Sequence, residues 1–236
     1  MSTITPIDFS NKTAIISGAA GGIGFAMAQA LGEQGMNIVM ADIDQNALKV
    51  SADKLQSAGI SVLTQDLDVT VYEQWQSTVT AAQEAFGGVH MLINNAGVGG
   101  IPGKIEDTNN DTWRWVVDVN LMGVMYGTQA ATPAIKASVD ASKGERGWII
   151  NVASMAGMAG VPYSAAYAAT KAAVVSMTES WMVELKPHNI HVSALCPAFV
   201  KTRIHESLRT LQDKYKTAPI KGDKDKLKKG FNQAAA

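Results

Sequence analysis

Cysteine is almost missing from this 236-residue chain, with Cys196 the single example. One thiol excludes an internal disulfide and a cysteine-only zinc site, and it fits a reducing compartment. Charge is also scarce, at 17% of residues against 47% hydrophobic, a globular balance that excludes a disordered or coiled-coil chain. No apolar run approaches the roughly 20 residues a membrane-spanning helix needs. The first ten residues, Met1 to Ser10, lack a basic cluster followed by an apolar stretch. They do not read as a secretory leader, so a cytoplasmic protein is expected. The four histidines, His90, His188, His191 and His205, have no ligand spacing, and no metal site is expected.

Net charge is −1, but it is unevenly spread. From Arg209 to Ala236 there are eight basic and three acidic residues, which leaves the rest of the chain at −6. Aspartates interrupt the lysines and no nucleic-acid motif accompanies them, so a solvated tail is expected and no nucleic acid partner. The division read from this is one domain over 1–208 and a basic tail, truncated or mobile, over 209–236.

What is abundant is short β-rich runs alternating with helical patterns. Thr13 to Ser17, Asn37 to Ala41, Ile60 to Leu63, Val89 to Ile93, Trp148 to Val152 and Ile190 to Leu195 read as strands. Their near-continuous apolar character predicts strands buried on both faces. Helical segments are expected near 22–35, 44–57, 70–86, 108–136 and 164–186. Gly35, Gly59 and Gly87 suit left-handed helix ends, and Pro187 stops the last helix. The alternation predicts an α/β fold: a doubly wound parallel sheet of six or seven strands with helices on both faces. In such sheets ligands bind beyond the carboxyl ends of the strands.

Two motifs sit there. After the first strand, Ser17-Gly18-Ala19-Ala20-Gly21-Gly22-Ile23-Gly24 forms a small-residue turn into a helix. Such a turn lets backbone amides and the helix dipole meet a phosphate. Its spacing is neither G-x-G-x-x-G nor a Walker A loop. Asp42 ends the second strand, near the position of an acid that accepts ribose hydroxyls. A carboxylate there repels a 2′-phosphate, so NAD is expected over NADP. The second motif is Tyr167-Ala168-Ala169-Thr170-Lys171. Residues four apart share a helix face, and an ammonium beside a phenol favours the phenolate, typically by ~1–3 pKa units.

In order and spacing, these residues resemble the short-chain dehydrogenase/reductase family in its single-domain form. The resemblance runs from about Lys12 to Arg203. The glycine turn matches with Ser17 in place of threonine. Asp68-Val69 matches an adenine-contacting pair, and Asn94-Asn95-Ala96-Gly97 matches a motif after the fourth strand. Asn120, Ser154, Tyr167 and Lys171 match the catalytic positions.

The resemblance implies a Rossmann-like fold. It implies NAD held by Gly18, Gly22, Ile23, Gly24, Asp42, Asp68, Val69, Asn95, Ala96, Gly97, Tyr167, Lys171, Pro197, Val200 and Thr202. Tyr167 would be the general acid/base and Ser154 would hydrogen-bond the substrate oxygen. Lys171 would bind ribose hydroxyls and tune Tyr167, and Asn120 would hold a water in a proton relay. A homodimer or homotetramer packed through the two long helices is also implied.

Two departures stand out: Pro197-Ala198 where the family has Pro-Gly, and no legible further helix or seventh strand after Arg203. Met155, Met158, Val161, Tyr163, Phe199 and Leu208 should border the substrate pocket, and their apolar character suits a hydrophobic secondary alcohol or ketone. The competing expectation is an NAD-binding sensor or scaffold without turnover. Cys196 is expected to be small buried filler, and Trp113, Trp115 and Trp181 either core or partner-facing.

Overall fold

Each apolar run becomes a strand. The six are β1 (Thr13–Ser17), β2 (Asn37–Asp42), β3 (Val62–Asp66), β4 (Met91–Asn94), β5 (Gly147–Val152) and β6 (Ile190–Leu195). The computed structural model describes residues 7–216. Every pairing is parallel, in the order β3-β2-β1-β4-β5-β6, with Ile15 opposite Val39 on one side and Leu92 on the other. The helices are α1 (Gly22–Glu33), α2 (Gln45–Ser57), α3 (Tyr72–Phe86), α4 (Asn110–Val117), α5 (Gly123–Ser138) and α6 (Ala165–Leu185). Gly35, Gly59 and Gly87 do take the left-handed φ that ends α1, α2 and α3. Among the described residues no helix is long and apolar enough to cross a membrane.

The long helix expected near 108–136 is two helices. A π-helical turn, Asp118–Met122, joins α4 to α5 and carries Asn120. Such insertions re-aim a side chain inside an otherwise continuous helix, frequently at functional sites.

Successive strand residues face opposite sides, so one run feeds two cores. Ile15, Val39, Leu92 and Ile149 join Trp75 of α3, Trp115 of α4 and Ile135 of α5. Ile16, Ile38, Met40 and Ile93 face the other way, against Leu48 and Leu55 of α2. Full burial of each such side chain is worth about 1.5–3 kcal/mol. Burial on both faces holds for β1 and β4 but not for β3 and β6. Those two lie at the sheet edges, and in β6 Ile190 and Val192 are buried while His191 and Ser193 are exposed.

A buried polar chain ties the centre of the sheet to its helices. Asn94 Nδ2 donates to Thr128 Oγ1 (3.1 Å) and to Asn151 Oδ1 (2.9 Å), and Asn151 Nδ2 donates to Thr178 Oγ1 (2.9 Å). Asn94 thus braces β4 against β5 and α5. Strand order reverses between β1 and β4, so the loops after those strands diverge and leave a crevice.

After β6 the chain runs back across this crevice in short 3₁₀ turns at Ile204–Thr210 and Asp213–Tyr215. Leu211 and Tyr215 are buried, and the Tyr215 hydroxyl donates to Asp118 Oδ2 at 2.7 Å. The tail expected from residue 209 therefore begins as packed chain up to Lys216, and 217–236 lies outside the described residues.

Candidate active site

The crevice is a cavity of about 680 Å³ beyond the carboxyl ends of the strands. Nearly all the residues singled out in the sequence line it: Gly18, Gly22, Ile23, Asp42, Asp68, Val69, Asn95, Ala96, Gly97, Ser154, Tyr167, Lys171, Pro197, Val200 and Thr202. Gly24 and Asn120 lie behind its walls.

The glycine turn is built by close packing. Gly18 has φ 66, and a Cβ on it would lie 2.8 Å from the Ala96 Cα. At Gly24 a Cβ would sit 2.4 Å from the Gly18 carbonyl oxygen, so α1 can approach β1 only without a side chain there. Asn95 fixes the turn from β4, its Nδ2 donating to the carbonyls of Ser17 (2.9 Å) and Gly18 (3.0 Å). The Ser17 hydroxyl in turn accepts from the amides of Asn95 and Ala96, both at 3.1 Å. The first turn of α1 has no side-chain cap and no acidic residue. Its free amides and positive dipole end face the cavity beside Gly22 and Ile23, a donor set suited to a phosphate.

Asp42 stands at the neighbouring strand end. Its Oδ2 accepts from the Ala20 amide and its Oδ1 from the Asp44 amide, each at 3.0 Å. Burial pushes its carboxyl pKa up, and those two amides hold it back. Each oxygen keeps lone-pair capacity for a hydroxyl donor. Asp68 Oδ1 accepts from the Thr70 amide (3.0 Å) and hydroxyl (2.7 Å), and its Oδ2 from Gln212 Nε2 (3.0 Å). Arg209 Nε lies 4.0 Å from Asp44 Oδ2. Residues after β6 thus roof the end of the cavity at Asp42 and Asp68. Composition signals nothing of this, because the acids they meet are remote in sequence.

At the other end, the Ser154 turn after β5 is held by its neighbours. The Met155 amide donates to the Pro197 carbonyl (3.0 Å), and the Ala156 amide to Ser154 Oγ (3.1 Å). The Ser154 side chain lies beside the Tyr167 phenol and favours its ionised form. Ala198 causes no strain: among the described non-glycine residues only Asn11, Tyr163 and Asn189 have positive φ.

Lys171 and Tyr167 share a face of α6, with the ammonium over the phenol ring. Lys171 Nζ donates to the Val152 carbonyl at 2.7 Å and lies 5.7 Å from the centroid of the Tyr167 ring. Burial raises the Tyr167 pKa, and the nearby Ser154 side chain offsets only part of that. The net direction is upward, opposite to the lowering expected from Lys171. Burial also lowers Lys171 itself, to about 8.

This lysine should imprint itself on stability. The folded chain releases the proton near 8, whereas the unfolded chain keeps it to the ordinary 10.5. Between those values the unfolded state binds more protons, so stability rises with pH; below about 8 the full cost of burying the ammonium is present. Wild type should therefore gain stability relative to Lys171→Met between about pH 7 and about pH 10, measured by urea unfolding. Equal shifts in the two proteins would show that Lys171 has an ordinary pKa.

Asn120 is a brace. Its Oδ1 accepts from the Val98 amide (2.8 Å) and its Nδ2 donates to the Val98 carbonyl (2.9 Å), with Thr170 Oγ1 at 3.4 Å. Those bonds tie its side chain to the loop after β4. Cys196, expected to be buried, is only half-buried, packed beside Val124, Ala153 and Val174. Trp115 is fully buried, while Trp181 packs partly buried against the core. Of the apolar residues expected to border this cavity, Met155, Val161, Phe199 and Leu208 line it, whereas Tyr163 and the 64% exposed Met158 do not.

Residues 12–213 match a family pattern described as short chain dehydrogenase. The trans-4-hydroxycyclohexanecarboxylate dehydrogenase of Sinomonas cyclohexanicum is 38% identical over 206 residues, covering 85% of this chain and 76% of that protein. The cyclohexanol dehydrogenase of Acinetobacter sp. (strain SE19) is 32% identical over 202 residues, covering 86% and 78%. The crystal structure of a short-chain dehydrogenase/reductase from Burkholderia phymatum in complex with NAD superposes with a TM-score of 0.89 at 36% identity, covering 98% of this chain and 81% of that one.

Proposed function

This chain belongs to the short-chain dehydrogenase family, and on that premise we propose that it transfers a hydride between NAD(H) and a hydrophobic secondary alcohol or ketone. One observation carries the reading. A single cavity has an uncapped helix N-terminus and Asp42 at one end, and Ser154, Tyr167 and Lys171 lining the other.

The residues fit a dinucleotide. The amides of the glycine turn and the start of α1 would take its pyrophosphate, and Asp42 would accept adenosine ribose hydroxyls and oppose a 2′-phosphate. Asp68, Val69, Asn95, Ala96 and Gly97 would flank the nucleoside, with Pro197, Val200 and Thr202 toward the nicotinamide. Bound NAD supplies the hydride acceptor.

The chain's own residues handle the proton. Ser154 donates a hydrogen bond to the substrate oxygen and holds it against the phenol. Tyr167 accepts the alcohol proton at its hydroxyl oxygen as the carbinol carbon gives up its hydride and becomes a carbonyl. Lys171, protonated below about 8, stabilises the phenolate form of Tyr167 that takes this proton. Asn120 acts through Val98, fixing the loop that faces the nicotinamide end. Met155, Val161 and Phe199 give the substrate an apolar wall. Exposed Met182 and Val183 on α6 suit packing against further copies as a homodimer or homotetramer.

The test is absorbance of reduced nicotinamide when the purified chain receives NAD and a panel of cyclic secondary alcohols. NAD-dependent reduction with at least one cyclic alcohol is expected. NAD binding with no turnover across the panel would favour a sensor or scaffold.

A further inference from the structure

A second cavity of about 350 Å³ lies against the first. The two share Gly99, Gly100, Ser164 and Tyr167 as lining residues. Three of those four are small, so the partition beside Tyr167 is thin. Gly100 has φ 72, and a Cβ on it would come 2.8 Å from Val116 Cγ2, so the loop lies pressed on α4.

The remaining wall is mostly apolar, with Ile101, Ile105, Trp113, Val116 and Tyr163. Its charged groups, Lys104 and Glu106, face each other at 3.9 Å and leave the rim neutral. Ile105 and Tyr163 stay exposed at 74% and 64%. Tyr163 is also held in a left-handed conformation, φ 64, while its carbonyl accepts from the Gly103 amide at 2.8 Å. That bond joins the two loops enclosing the cavity. A non-glycine residue in this region is strained and persists where the surroundings enforce it, often at ligand clamps.

We propose that this second cavity is the distal half of the substrate site, receiving an uncharged second ring of an alicyclic or aryl secondary alcohol whose carbinol sits at Tyr167 and Ser154. The inference rests on the dehydrogenase reading and narrows it to substrates larger than one ring. Its volume lies at the small end of ligand cavities, enough for a ring but not a second cofactor.

Gly103 offers a clean way to fill the cavity. It lines the second cavity and not the first, lacks a positive φ, and a Cβ on it meets nothing within 4 Å. Cyclohexanol and 4-phenylcyclohexanol are titrated by calorimetry into wild type, Gly103→Phe and Ile105→Asp, with and without NADH. Wild type should bind the two-ring alcohol about tenfold tighter. Both variants should lose most of that preference and keep cyclohexanol affinity. The proposal is overturned if wild type shows no preference, or if neither variant reduces it. Binding is read separately from turnover, so a chain that oxidises no alcohol would sink the reaction while the affinity ratio still decides the cavity.

Discussion

Tyr167→Phe lowers kcat by about 10²- to 10⁴-fold and leaves NAD affinity within about twofold. The substitution removes one oxygen and keeps the ring. Tyr167 is half-buried on α6, its phenol beside Ser154 and its ring beneath Lys171 Nζ. Phenylalanine preserves that packing, so the loss falls on proton transfer. Burial raises the pKa of Tyr167, so it rests as the neutral phenol and the phenolate that can accept a proton is scarce. Proton acceptance therefore depends on charge that Lys171 supplies nearby, and no other side chain in the Ser154–Lys171 group can take the role. Near-wild-type turnover of the purified variant would show that another group is the base.

Asp42→Ser shifts the NAD-to-NADP preference toward NADP by about 100-fold. Hydrogen bonds to a charged group are worth about 1.5–3 kcal/mol, and tenfold in affinity is about 1.4 kcal/mol. The carboxylate gives NAD its hydroxyl acceptor and opposes a 2′-phosphate, so its removal acts on both terms. Arg209 amplifies the change. It already lies near Asp44 and bears electrostatically on Asp42, and without that acid its guanidinium can face a phosphate. Serine keeps a short acceptor for the amides of Ala20 and Asp44, so the turn should persist. Parallel titrations with the two dinucleotides read the ratio. An unchanged ratio would remove Asp42 from cofactor choice.

The strands, the glycine turn and the four-residue spacing of Tyr167 and Lys171 were legible because each depends on neighbours in sequence. Shared helix face places Lys171 beside Tyr167, but the direction of its ammonium is decided by the Val152 carbonyl on β5. Asn120 could be picked out, yet nothing in Val119-Asn120-Leu121 announces a π turn or a bond to Val98. Residues 209–216 read as tail because their charges are conspicuous, whereas Leu211 and Tyr215 are two apolar anchors whose partners are distant. Tyr215 meets Asp118, and Gln212 meets Asp68 across 144 positions. Which face of β6 is covered is likewise decided by the elements packed on it rather than by the strand's own residues.

The most direct measurement uses a cyclic secondary alcohol carrying deuterium on its carbinol carbon, incubated with NAD and the purified chain. Deuterium should appear at the nicotinamide C4 of the reduced cofactor as the ketone accumulates, and Tyr167→Phe should suppress both signals together. Ketone without label on the cofactor, or equal label transfer by Tyr167→Phe, would contradict hydride transfer governed by Tyr167.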